Sequence, residues 1–333
     1  KFGALEPYNG INEKWQIRNV SGHKGDKKMR KKQTKITVIA LSVLLGLSGC
    51  GSLGASKGYK DYTVKKEQYV AEYTEQYDYW DVVTVEYPIL SGIDREQTEA
   101  INKTLYDIAM EKVNYWHLTP NEEVKALQEE YSIYSSDVHC NVDFHSQYLL
   151  SVGFQEAYAP VSPVYYVHMT QRCANINLMT GEQYQLADIF KIDDSFMELW
   201  CKQLEADGNY DGVITNDEDV RETFAAWFLG EDKEAEESYI FTPFFYIDEN
   251  KDFVIGISYD PKVNKIAGNV PKDNSFFGHF AAADLEPLRT ESEFWELYDK
   301  SENTGEVVEC EELQENIWLG ENAGVWDYWK ERQ

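Results

Sequence analysis

Basic residues are scarce in this chain: 31 Lys and Arg stand against 59 Asp and Glu, a formal net charge of −28. Nucleic-acid binding needs clustered cations to neutralise phosphates, so that class is excluded, as is tight contact with anionic lipid headgroups. None of the 5 cysteines lies in a Cys-x-x-Cys pair, which removes a structural zinc site. The chain has no His-Glu-x-x-His and no phosphate-cradling glycine loop. No Gly-x-Ser-x-Gly stretch stands between a predicted strand and helix, as a nucleophile elbow requires. Carboxylates are too plentiful for any two to mark a glycosidase pair. No reaction is announced, no cofactor is implied, and a non-catalytic role is expected.

Long uncharged apolar runs are also lacking, with one exception. Met29-Arg30-Lys31-Lys32 and Lys35 precede the mostly apolar stretch Ile36 to Leu47, which stops at Ser48-Gly49-Cys50. A basic head, a short greasy segment and small residues before a cut are the layout of an export signal. The Leu47-Ser48-Gly49-Cys50 ending resembles the lipobox of bacterial lipoproteins. That resemblance implies that Cys50 receives diacylglycerol, becomes the mature N-terminus and anchors the chain in the bilayer at the outer face of the cytoplasmic membrane. A spanning helix over Ile36 to Ser56 is the alternative, although Gly46, Gly49, Gly51 and Gly54 make its second half small and flexible. Residues 1–28 are then an upstream or cytoplasmic segment, 29–49 the signal and 50–60 a tether.

Removing the signal sharpens the charge. Residues 1–49 hold 10 basic and 3 acidic residues, which leaves 21 and 56 for the remainder, a net of −35. A cationic partner would be steered to such a surface, less strongly as salt rises. The remainder is long enough to bury a sizeable core, and 14% aromatic content rules out a disordered chain. Cys140, Cys173, Cys201 and Cys310 allow three disulfide pairings, with buried free thiols the preferred reading.

Patterning predicts an α+β fold: an antiparallel meander with packed helices, as two intertwined or consecutive α/β units over 61–190 and 191–300, and an acidic, tryptophan-bearing tail over 301–333. Val83, Val85 and Tyr87 alternate with polar residues in a half-buried strand that Pro88 stops. Asp94 and Gln97 form a capping box for a helix with Ile101, Leu105, Ile108, Ala109, Val113 and Trp116 on one face. Three strands follow, around Cys140 to Phe144, Tyr148 to Tyr158 and Val164 to Leu178, with one wet face. Helices are expected after Asp193-Asp194, from Thr215 to Gly230 and from Thr290 to Lys300. A loop is expected over 231–237, and strands at Phe244–Ile247 and Phe253–Tyr259.

Tyr87-Pro88-Ile89-Leu90-Ser91-Gly92, then Ala100-Ile101-Asn102, resemble one family of extracytoplasmic domains. So do Leu150-Ser151-Val152, Asn175-Ile176-Asn177-Leu178-Met179-Thr180-Gly181, Leu186-Ala187-Asp188-Ile189-Phe190, Phe245-Tyr246-Ile247 and Ala267-Gly268. These paired domains of unknown function form the outer part of lysozyme-sensing anti-sigma factors of the RsiV type and occur in many lipoproteins. The resemblance implies a partner such as lysozyme. Tyr158-Ala159-Pro160-Val161-Ser162-Pro163 stands where many relatives carry Tyr-x-Gly-Gly-Ala-His, and residues 1–35 show no sigma-binding segment.

The best local candidate for chemistry is His139-x-Asn-x-Asp143-x-His145. A period of two puts its polar side chains on one strand face, with His168 two strands away, a set able to hold a divalent metal. A solvated strand face is the plainer reading. Asp248-Glu249-Asn250-Lys251-Asp252 lacks the glycine and final glutamate of a calcium loop and reads as a hairpin turn. Trp318, Trp326 and Trp329 offer surfaces for a sugar ring or a partner's pocket, or pack on their own domain. The function read from these residues is binding at the cell envelope, to a cationic protein such as lysozyme or to peptidoglycan. A wall-modifying hydrolase and a membrane-spanning anti-sigma-type sensor are the alternatives.

Overall fold

The computed structural model describes residues 58–70, 83–130, 136–158, 168–207, 218–263, 275–302 and 306–308. Outside them lie Cys50 with its signal and most of the tether, the 159–163 loop, Ala267-Gly268, Cys310, and Trp318, Trp326 and Trp329.

Residues from Ala55 onward form one compact unit. Its architecture is α+β, in layers: a helix, a six-stranded sheet, a three-stranded sheet, and helices again. The larger sheet has the order β5-β4-β3-β2-β1-β9. Its strands are β1 (Thr63–Val70), β2 (Val83–Ser91), β3 (Ser136–His145), β4 (Leu149–Tyr158), β5 (His168–Asn177) and β9 (Glu306–Val308). Pairing is antiparallel except for β2 with β3 and β1 with β9. The smaller sheet, β6 (Tyr239–Ile247), β7 (Phe253–Pro261) and β8 (Ser275–Phe280), is an antiparallel meander.

Helix α1 (Arg95–Val113) lays Ile101, Leu105, Ala109 and Val113 against Val138, Cys140, Val152, Phe154, Ala174 and Ile176. A π-helical turn, Asn114–Leu118, carries Trp116 onward, and α2 spans Glu122–Glu130. The opposite face of β4 and β5 meets the smaller sheet, where Met169 joins Phe244, Tyr246, Val254 and Phe277. The far side of that sheet buries Phe245, Phe253, Ile255 and Ile257. Covering it are α3 (Leu186–Ile189), α4 (Asp194–Ala206), α5 (Glu218–Leu229) and α7 (Glu293–Lys300), with Trp200 Nε1 donating to Ile255 O at 2.9 Å. Phe144 and Leu149 of the larger sheet enter this second core. Among the described residues no helix is long and apolar enough to cross a membrane.

Several expectations are corrected. Pro88 does not stop β2, which runs on to Ser91. Leu90 N–H and C=O both bond the Asn102 side chain, at 2.7 and 2.9 Å, and so point away from β1. Pro88, two residues earlier, points the same way, beyond Val85 where β3 ceases to pair, so its missing N–H costs no ladder bond. The wet face shrinks to partly exposed positions of β3, His139, Asn141 and Asp143 among them; every residue of β4 is buried, because a second sheet covers it. At α1 the Asp94 side chain caps nothing and accepts from Tyr59 OH at 2.8 Å. Thr290 does not open α7; its hydroxyl donates to Asp188 O at 2.6 Å, and Ser292 is the cap. Residues 231–237 contain a short helix, α6 (Lys233–Glu236), because Asp232 accepts from Ala235 N.

The expected hairpin turn holds. Asp248 Oδ1 accepts from Asn250 N and Asp252 N, both at 2.8 Å, closing the β6–β7 hairpin. Gly181 closes the turn after β5 at φ 76°, which its lack of a Cβ permits.

Candidate functional site

The four candidate metal ligands do not assemble. A β-bulge falls between Val142 and Phe144, so Asp143 is the extra residue and the period of two breaks there. Through the strand register, His168 lies level with Tyr158 and Ser136, whereas His145 pairs with Leu150. Nine residues of β3 separate those levels, roughly 30 Å at the rise of an extended chain. Among the described residues no group of three or more His, Cys, Asp or Glu side chains is placed to hold a metal ion.

Each candidate has a separate environment. His139 Nδ1 sits 2.8 Å from Glu86 Oε1 and its Nε2 3.4 Å from Asp137 Oδ2. Both carboxylates are buried, Glu86 also accepting from Cys140 N and Asp137 from the Thr84 hydroxyl. Burial alone would lower the imidazole, but hydrogen bonds and charge from Asp137 and Glu86 win and raise it to about 10, so His139 is a cation here. Sequence reading missed both partners: Glu86 falls among the polar residues that alternate with Val83, Val85 and Tyr87, and Asp137 lies ahead of the strand read around Cys140.

Asp143 presents the opposite case. The residue is partly exposed but its Oδ2 is buried without a hydrogen-bond partner. A Cβ on Gly153 would come within 2.7 Å of that oxygen, so the missing side chain is what makes room for the carboxyl. Burial raises the group to about 8, against a Gly153 backbone hydrogen bond and the charge of Lys66, with Asp248 adding a smaller push upward. His168 is buried and stacks on Tyr158, ring centroids 5.2 Å apart. His145 is half-buried at the far end of β3.

Cys140 and Cys201 are buried, Cys173 is half-buried, and all three are free thiols. Burial pushes Cys201 up to about 12 and raises Cys173 strongly, so neither is a ready nucleophile.

The fold instead gathers an unforeseen polar group where α1 meets both sheets: Lys112, Glu156, Arg172 and Asp260, all buried. A signal was present, for Lys112 interrupts the apolar stripe between Met110 and Val113, and Arg172 sits inside the strand from Met169 to Ile176. Cations in buried patterns imply buried partners.

No family model matches the chain. No curated protein matches it either. Among solved structures, a DUF3298 family member from Bacteroides fragilis is similar with a TM-score of 0.44 and 12% identity, covering 73% of this chain and 98% of that one. A DUF3298 family protein from Pseudomonas aeruginosa PAO1 is similar at 0.37 and 11%, covering 71% and 96%. Both neighbours belong to a family of unknown function, and neither likeness bears on what this chain binds.

Proposed function

We infer that this chain is an extracytoplasmic lipoprotein that binds a cationic partner at the cell envelope without transforming it. The observation that carries the reading is the charge of the part beyond Gly49, 21 basic against 56 acidic residues, behind a Leu-Ser-Gly-Cys ending. Such a surface draws a cationic protein by long-range attraction, and salt weakens that attraction. Lysozyme is the partner tested first, and peptidoglycan the second. A hydrolase on the polar strand face gains nothing from the geometry, because His139, Asp143, His145 and His168 stand apart.

Two experiments test it. Mature protein immobilised on beads should retain hen lysozyme at low salt and release it steeply as salt rises. Capture at no salt concentration overturns the lysozyme reading, and sedimentation with purified peptidoglycan then decides for or against the wall. For the anchor, Cys50→Ala should free the protein from the membrane fraction. Unchanged retention would instead favour a spanning helix and with it the sensor alternative.

A further inference from the structure

The junction of α1 with both sheets is built from charges that are unequally partnered. Lys112 Nζ reaches Asp260 Oδ2 on β7 at 2.9 Å, and Asp260 Oδ1 accepts from the Tyr158 hydroxyl on β4 at 2.9 Å. Arg172, on β5, donates through Nη2 to Glu156 Oε2 on β4 at 3.0 Å. Through Nη1 it also holds α1, donating to Glu111 Oε2 at 3.1 Å and to the Ile108 carbonyl. Two cations therefore face three carboxyls, of which only Glu111 reaches solvent. Asp260 has both oxygens engaged. Glu156 does not: its Oε1 is buried and meets no donor. Directly across the β4–β5 ladder stands Thr170, whose Oγ1 is likewise buried and unmatched.

A carboxylate with one oxygen denied water and donors bears a desolvation cost that the protonated acid escapes. The acid also gains an O–H, and a cross-strand neighbour lies within about 5 Å between Cβ atoms. We propose that this junction is a proton-linked clasp, in which Glu156 holds a proton while α1 is seated on β4, β5 and β7 and releases it as the helix loosens. Burial pushes Glu156 up to about 7; Arg172 and then Lys112 oppose that shift, and Asp260 and Glu111 add to it. Among the described residues, Tyr158 on β4, His168 on β5 and His117 of the π-helical turn, whose Nε2 lies 3.0 Å from Ser136 Oγ, are further titratable groups at this end of the sheets. The sign follows from the two forms. A loosened junction returns Glu156 to an ordinary carboxyl near 4.5, so between there and about 7 the seated form binds more protons. Each unit of rising pH in that window weakens the seating by up to about tenfold.

Hydrogen–deuterium exchange on the full chain between pH 5 and 7.5, corrected for the intrinsic pH dependence of exchange, tests the clasp. Protection of the peptide spanning α1 should fall by up to about tenfold per pH unit beyond any fall in that of α7, which follows the pH dependence of the whole fold. Glu156→Gln should flatten the α1 trend. Glu111→Gln changes an exposed side chain and so keeps the fold. It removes a like charge and a competitor for Arg172, lowers the seated value of Glu156, and should make the loss of protection level off at a lower pH. Loosening of α1 and α7 in step, a wild-type slope in Glu156→Gln, or an unmoved curve in Glu111→Gln would each overturn the proposal.

Discussion

Ser151, Asn175 and Ser258 tie the two sheets together with neutral groups; farther along the same strands, Lys112, Glu156, Arg172 and Asp260 tie them to α1 with charges. In the neutral joint, Ser151 Oγ donates to Asn175 Oδ1 at 2.7 Å, Asn175 Nδ2 donates to Phe245 O at 2.7 Å, and Ile247 N donates to Ser151 Oγ at 3.1 Å. Ser258 Oγ takes the Gln171 N–H and returns a bond to Gln171 O, both at 2.9 Å. Neutral hydrogen bonds of this kind contribute about 1 kcal/mol each and do not depend on pH. The charged joint leaves Glu156 Oε1, Arg172 Nε and Thr170 Oγ1 without partners. Its strength therefore depends on where one proton sits. The same layers are held by one constant joint and one conditional joint.

The largest expected effect separates them by mutation. Lys112→Met strands Asp260 as a buried charge and should cost about 3–5 kcal/mol by urea denaturation. Adding Asp260→Leu should recover part of that loss, because an apolar pair replaces a buried ion pair at little cost while the buried Tyr158 hydroxyl loses its acceptor, at about 1–3 kcal/mol. Asn175→Ala comes next. It orphans the Phe245 carbonyl and the Ser151 hydroxyl and should cost about 2–3 kcal/mol, equally at pH 5 and pH 8. A pH-dependent loss in Asn175→Ala would erase the distinction between the two joints.

The neutral joint was half legible. Ser151, Asn175 and Phe245 all fall in the segments that carry the resemblance to extracytoplasmic domains, and so does Asn102, which clamps Leu90. Their side chains are hydrogen-bonding points of the fold, which explains why those segments announce architecture and no chemistry. Helix positions were readable from apolar spacing, and Asp193 was readable as a cap, accepting from Ser195 N and Phe196 N. The charged joint was not readable, because Arg172 meets Glu111 and Lys112 meets Asp260 across 61 and 148 positions of chain. Nor could alternation reveal the bulge at Asp143, since one inserted residue alters the ladder without altering residue types.

Asp143 gives a smaller effect of the conditional kind. Its folded value of about 8 lies above the unfolded 3.8, so the native state binds more protons between those values and stability falls as pH rises through them. Asp143→Asn should therefore be more stable than the parent at pH 8 and nearly equal to it at pH 4, by urea midpoint. Equal midpoints at pH 8 would show that Oδ2 finds a donor in solution.

His139 closes the comparison with the weakest of these effects, since its ring is 38% exposed and water screens its pairs. The same slope arises there from an opposite cause, attraction to Glu86 and Asp137 instead of a buried carboxyl's aversion to charge. With a folded value of about 10 against 6.5, its contribution is full below pH 6.5 and fades as pH climbs towards 10. His139→Gln should flatten stability only in that upper window, whereas Asp143→Asn acts from 3.8 to about 8. Denaturation series at pH 5, 7 and 9 on both variants resolve the two. A change in His139→Gln confined to pH 5–7 would mean that the imidazole is not held as a cation by its two carboxylates.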